Sequence, residues 1–510
     1  MRPYSKNDVK EIYEHLIRSA RKNYDNRHLG NALTDIVSAT HWAYNFNQFY
    51  FDPESEQLLK TISDVSVKLG KIDNPKSNRC VLIDSFLLDN RGLSQQYLRA
   101  MIFHKMEILV VYTNKREPIG NDILNEISCY EKAYLLSFQE QISPFDQANQ
   151  IVKTIVEFAP TRIFLHINPW DVVALMSCNA IRGSKKYNIN LTDHAFWLGA
   201  SFIDFNIEFR PYGLTVSMEK RGLNKNQLIA LPYYPVTPTM SEFNGFPQLP
   251  TNAVKVFTGG SLYKMLGKND IFFRMMDSIL SVASNVYILV AGFDSDKRFE
   301  EKCTSMLYGN RVVQIGVRTD IDEVFINSDI YLNTYPMMGG LMVQYAAKHG
   351  KPIIAYHDEG DAMNAVEEVV NYYQNEFQSF TDIANMVTYA KKLIIDKNFR
   401  YTQGKMLQDG MMTAERFNKE FYDAITMGET SFKWGRDSID YDTFFNRYLQ
   451  LENQNGFTAT MHLVKVQKFA LLKKLPGYRC RMISFLLEMI KSISLKGALV
   501  KVVKKLCGRL

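Results

Sequence analysis

Apolar residues along this chain follow two rhythms. Up to about residue 79 they recur every three or four positions, in DVKEIYEHLIRSARKNY, NALTDIVSATHWAYNF and SEQLLKTISDVSVKLGK, and this spacing predicts amphipathic helices. From Cys80 they come instead in short unbroken runs: CVLIDSF, EILVVYTN, KAYLLSF, RIFLHIN, KYNINLTD, FNIEF and QLIALPYYP. Helix-length segments such as PFDQANQIVKTIVEFA and PWDVVALMSCNAI separate several of them. Runs that are continuous rather than alternating belong to parallel strands buried on both faces, so an α/β domain is expected to close near Pro235. VTPTMSEFNGFPQLPTN reads as a linker, and a second series (VKVFTGG, NVYILVAG, RVVQIG, then the stretch from Asp329 to Asp361) repeats the pattern. The expected organisation is a helical extension over 1–79, an α/β domain over 80–236, a linker over 237–252, a second α/β domain over 253–427 and a helical extension over 428–510.

Doubly wound sheets bind ligands at the carboxyl ends of their strands, and two of them facing each other make a cleft. In DIYLNTYPMMGGLMVQYAAKHGKPIIAYHDEGD a strand runs through a Tyr335-Pro336 turn into Gly339 and Gly340, then a helix, then a second strand. Unpaired amides and the positive end of the helix dipole would face a ligand there, and a diphosphate suits them. A tight strand-to-helix turn would also use the glycines, and this stretch alone leaves both readings open.

Composition narrows the class. With 46% hydrophobic and 13% aromatic residues in 510, the chain has material for two or three full cores. No apolar run follows Met1 and none reaches eighteen residues, so neither a signal peptide nor a spanning helix is expected. Six cysteines without CxxC spacing point to a reducing cytosol rather than to zinc or disulfides. The basic charge is local: residues 461–510 hold twelve Lys or Arg against Glu488 alone, a net of +11, while the first 460 residues hold 48 basic against 53 acidic. Residues 481–493 and 498–506 sort into apolar and basic arcs at 100° per residue. An anionic membrane surface is the favoured partner of that tail, packing on the protein body is the alternative, and nucleic acid is not expected. The expected location is therefore cytoplasmic, peripheral on the inner face of the membrane.

Two Rossmann-like domains, the second with a strand-glycine turn, a lysine and a Pro-x-x-Gly-Gly helix before GKPII, resemble the GT-B glycosyltransferases that use nucleotide-sugar donors. The resemblance covers roughly residues 80 to 427. Within it, SLYKML after FTGG and LNTYPMMGG before GKPII look most like the donor half of O-linked N-acetylglucosamine transferases and their bacterial relatives, without the tetratricopeptide repeats of the former. The resemblance implies transfer of a sugar from a UDP- or GDP-linked donor, a substrate rather than a cofactor, to a glycan, lipid-linked glycan or protein acceptor. It implies a diphosphate held by Gly260, Lys264, Tyr335, Gly339 and Gly340, with Glu359 or Asp361 at the ribose. Retaining enzymes of the commonest class place two glutamates where this chain has Met337 and Tyr345, which favours inversion. Two other readings are a nucleotide-sugar 2-epimerase and a catalytically silent partner subunit.

Inversion needs a base from the first domain. His194, after Asp193 in LTDHAFWLG, stands at a strand's carboxyl end, and an imidazole with an oriented ring can take a hydroxyl proton near neutral pH. His166 in FLHIN is the competitor, and Asp84 with Arg91-Gly92 lies on the same side. Asp294-Ser295-Asp296, Asp320-Ile321-Asp322 and Asp440-Tyr441-Asp442 match a metal pattern, but Lys264 and a helix terminus supply positive charge, so no metal is expected. The aromatic group Trp42, Tyr44, Phe46, Phe49, Tyr50 and Phe51 is read as core packing.

Overall fold

The computed structural model describes residues 3–485 apart from 91, 238–241, 373–375, 455–457 and 481. The basic amphipathic tail expected over 481–510 therefore lies almost wholly outside the described residues. Two parallel sheets carry the fold. The first has seven strands in the spatial order Ala133–Leu136, Glu107–Tyr112, Lys76–Asp84, Pro160–His166, Lys185–Ile189, Phe205–Glu208, Leu228–Ala230. The second has five, in the order Val312–Gly316, Val286–Ala291, Val254–Gly259, Ile330–Leu332, Ile353–Ile354. Each is doubly wound, its first strand lying inside the sheet with later strands added on either side.

The unbroken apolar runs have the expected cause, since both faces of each sheet are covered. Along Lys76–Asp84, Val81 and Ile83 face one core while Cys80 and Leu82 face the other. The first of these cores is closed by both ends of the chain. Helices Lys6–Asp25, Leu29–Phe46 and Pro53–Ser66 pack there together with Phe445, Leu463, Leu471, Leu475 and Phe485. Tyr4 donates its amide to Asn453 Oδ1 at 2.8 Å, and the Tyr478 hydroxyl donates to Glu11 at 2.8 Å. Asp35, buried between the ends, accepts from Gln467 at 2.8 Å and pairs with Lys474.

The last helix of the stretch assigned to the second domain, Ala414–Met427, crosses back to the first sheet. Phe417 meets Tyr97 edge-on at 5.3 Å, and Phe421 lies 5.6 Å from Phe164. Helical periodicity placed the helix but not the surface it covers. Near the linker, Tyr345 donates to the Val236 carbonyl at 2.8 Å and Lys348 to Thr237 at 2.6 Å, so the glycine-turn helix is tied to the crossing. No helix among the described residues is long and apolar enough to cross a membrane.

Candidate active site

The carboxyl ends of the two sheets face one cavity of about 670 Å³. On the first-domain side stands the loop after Lys185–Ile189, with Asp193 and His194. On the other side are Tyr263 and Lys264, after Val254–Gly259, and Met338, Gly340 and Leu341 at the start of helix Gly340–Lys348. The extensions complete the wall with Tyr44 from Leu29–Phe46 and Tyr448 from Tyr441–Gln454.

The His194 loop is held by two buried guanidiniums. Arg210 Nη2 donates to Asp193 Oδ1 at 3.0 Å while its Nε bonds Oδ2. Burial opposes the charge on Asp193, but Arg210 and His194 together outweigh it and keep the carboxyl well below the usual carboxylate range. Arg221 Nη2 donates to the carbonyls of Asp193 at 2.8 Å and Ala195 at 2.7 Å, fixing the backbone on both sides of His194. Behind them Glu208 accepts from Asn190 at 3.0 Å, and burial pushes its carboxyl up to about 7. His194 Nδ1 stands 3.4 Å from Asp193 Oδ1, a long hydrogen bond. Asp193 therefore serves Arg210 first and orients the imidazole second. The His194 side chain is 28% exposed, and no hydrogen-bond partner of Nε2 is found among the described residues.

His166 is placed differently. It is fully buried, with Nδ1 2.9 Å from Asp84 Oδ2 and Phe86 5.0 Å away. Gly92 covers it so closely that a Cβ there would stand 3.1 Å from His166 Cε1. Burial works against the Asp84 charge, yet His166, Ser94 and the Phe86 amide hold the carboxyl below its ordinary value. A reacting hydroxyl in the cavity has Gly92 between it and this ring.

On the donor side, Lys264 Nζ donates to the Met338 carbonyl at 3.1 Å, joining its loop to the glycine turn. Burial pushes the ammonium below its ordinary value, and no carboxylate lies within ion-pair distance among the described residues. Asn364 Oδ1 receives the Met338 amide at 2.8 Å and Asn333 Oδ1 the Gly339 amide at 3.0 Å. The next amides, at Gly340, Leu341 and Met342, have no acceptor among the described residues, as the first turn of a helix requires. Gly339 is explained by packing, since a Cβ would lie 3.2 Å from the Tyr331 hydroxyl. Gly340 is not, because a Cβ would meet nothing nearer than Met338 Cε at 3.8 Å. Gly260 (φ 152°) passes so close to Gly292 that a Cβ on the latter would stand 2.5 Å from the Gly260 carbonyl oxygen.

Of the expected donor residues, Lys264 and Gly340 line this cavity, Gly260 and Gly339 lie in the same two loops without lining it, and the other three are placed elsewhere. The Tyr335 hydroxyl donates to Asp358 at 3.0 Å and faces a separate cavity of about 390 Å³. Glu359 is exposed on a turn. Asp361 is buried with its Oδ2 on Arg447, which also donates to Asp358 at 2.7 Å, and it does not line this cavity. Each Asp-x-Asp triplet likewise has a local use: Asp296 caps Lys297–Thr304, Asp320 pairs with Arg318, and Asp440 receives the Thr443 amide at 3.0 Å. Sequence reasoning missed Arg210, Arg221, Asn333 and Asn364, whose partners lie on other loops.

A stacked imidazole pair fastens the extensions beside the cavity. His41 and His462 lie 3.3 Å apart at 6°, with Trp170 4.5 Å from His41 and Lys465 on the His462 side. Burial pushes His41 down to about 3 and His462 down to about 4. The unfolded chain takes up protons at ordinary histidine pKa values while the folded one refuses them, so this stabilisation is complete above about pH 6.5 and is lost as pH falls towards 4. The urea midpoint should drop across that window and the drop should shrink in His462→Phe; an identical pH profile in the variant would refute the assignment.

No protein-family model and no curated protein matches the sequence. Among solved structures, a mutant O-GlcNAc transferase from Thermobaculum terrenum is similar over 85% of each chain at 13% identity, with a TM-score of 0.52. A glycosyltransferase from Rickettsia africae is similar over 69% of this chain and 99% of its own at 11% identity, with a TM-score of 0.50. Two facing parallel sheets wound in the same sense, a cavity between their carboxyl ends and this likeness together identify the architecture: the chain has the GT-B glycosyltransferase fold.

Proposed function

We propose that the protein transfers a sugar from a nucleotide-sugar donor to an acceptor hydroxyl with inversion at the anomeric carbon. The observation that carries this is a half-buried ammonium with no carboxylate in ion-pair distance among the described residues, beside helix amides without an acceptor there and a glycine that packing does not demand, in the cavity that also holds His194. A diphosphate satisfies all three features: Lys264 takes a phosphate oxygen, the Gly340–Met342 amides take another, and the space over Gly340 is where the group comes close. His194 Nε2 removes the acceptor proton as the acceptor oxygen attacks C1, and the C1–O bond to the leaving diphosphate breaks on the opposite side. The electron pair leaves with the nucleoside diphosphate, where Lys264 and the helix end hold the added charge. Met337 and Tyr345 offer no carboxylate for a second displacement, and the Tyr345 hydroxyl donates to the Val236 carbonyl.

Lys264→Ala should weaken binding of UDP or GDP at least tenfold, since a charge-assisted contact shielded from water contributes about 2 kcal/mol. Unchanged affinity by isothermal titration in a folded variant would remove Lys264 from the diphosphate site.

A further inference from the structure

We propose that the acceptor end of the cavity is a saccharide-binding wall of three tyrosines, Tyr44, Tyr263 and Tyr448, built largely by the two chain extensions. This rests on the transferase reading and names the class of acceptor for it.

The three rings come from distant parts of the chain. Tyr44 lies on Leu29–Phe46, Tyr263 in the donor loop next to Lys264, and Tyr448 on Tyr441–Gln454, yet all line the cavity that holds His194. The Tyr448 ring stands 6.4 Å from the His194 imidazole and 24° from parallel to it, so the wall begins at the base. Tyr44 is fixed edge-on against Trp170 at 5.4 Å and 80°. Burial raises the pKa of both Tyr44 and Tyr448, and the charge of Tyr263 adds to each, which places the three phenols near one another.

Their hydroxyls open to the cavity, unlike those of Tyr50, Tyr212 and Tyr331, which also lack a partner among the described residues but are sealed inside the protein. Tyr13, Tyr335 and Tyr345 each donate to a protein oxygen, at 2.6, 3.0 and 2.8 Å. No hydrogen-bond partner of the Tyr44, Tyr263 or Tyr448 hydroxyl is found among the described residues, so each is available to a ligand in the cavity. Rings that end in free hydroxyls, beside a base that must receive a hydroxyl proton, suit a pyranose: its C–H face packs on the rings and its hydroxyls take the phenols. An acyl chain would leave the phenols unsatisfied, and an acceptor reached through one serine or threonine would use little of the wall.

The test uses methyl glycosides of common hexoses, N-acetylhexosamines and deoxyhexoses, presented to the full chain saturated with UDP or GDP and read by saturation-transfer NMR. At least one glycoside should bind, and Tyr44→Ala and Tyr448→Ala should each weaken it roughly tenfold while nucleotide affinity stays within twofold. Tyr44→Phe, which keeps the ring on Trp170, should weaken it less and guards against misfolding. Equal glycoside affinity in wild type and both alanine variants overturns the proposal. So does nucleotide binding with no glycoside bound, and in that case the transferase reading survives; failure to bind either nucleotide counts against the transferase reading itself.

Discussion

His194→Ala should lower turnover about 10² to 10⁴-fold while leaving nucleotide affinity close to wild type, because a general base contributes about that much and the diphosphate is held by the other domain. Asp193 does not stand in as the base, since Arg210 and His194 hold its carboxyl well below the usual carboxylate range. His166 is the control: buried on Asp84 behind Gly92, its change to Gln should alter stability and leave turnover of the folded enzyme close to wild type. A folded His194→Ala enzyme with full turnover would move the base elsewhere in the first domain.

Arg210→Met should destabilise the protein by about 3–5 kcal/mol, the usual cost of removing one partner of a buried ion pair. The lost group does more than balance Asp193, since its Nη1 also donates to the Met363 carbonyl of the second domain at 2.7 Å. In the variant Asp193 is buried beside Glu208 without its nearest cation, so its carboxyl must rise and take a proton, and His194 loses an anionic partner. Adding Asp193→Leu removes the stranded charge and should return much of the stability without returning turnover. An unfolding free energy from urea titration within about 1 kcal/mol of wild type for Arg210→Met would show that the pair does not hold the loop.

What was legible in the sequence follows from range. Parallel strands covered on both faces are continuous apolar runs, so Cys80–Asp84, Ile108–Tyr112 and Val254–Gly259 could be read locally, and a histidine or lysine past such a run is on the carboxyl-end side of its sheet, where His194 reaches the cavity and His166 is sealed from it. Tyr44 was read as core packing because it sits among Trp42 and Phe46, which are buried; nothing local says that its own ring turns to the cavity. Nothing near Asp361 announces its partner Arg447, which comes 86 residues later. Tyr448 carries no motif, and its role exists only because the last helices fold over the first domain.

That return of the chain's end to its beginning sets the order in which the protein can be made. The Tyr4 hydroxyl bonds Thr460 across 456 positions, and the core beneath the first sheet lacks Leu463, Leu471 and Leu475 until nearly the whole chain has been synthesised. At about 5–20 residues per second, the sheet complete at Ala230 waits on the order of tens of seconds with part of an apolar face uncovered. During that interval holding chaperones and aggregation compete for the same surface, and the domain made first is among the last to finish folding.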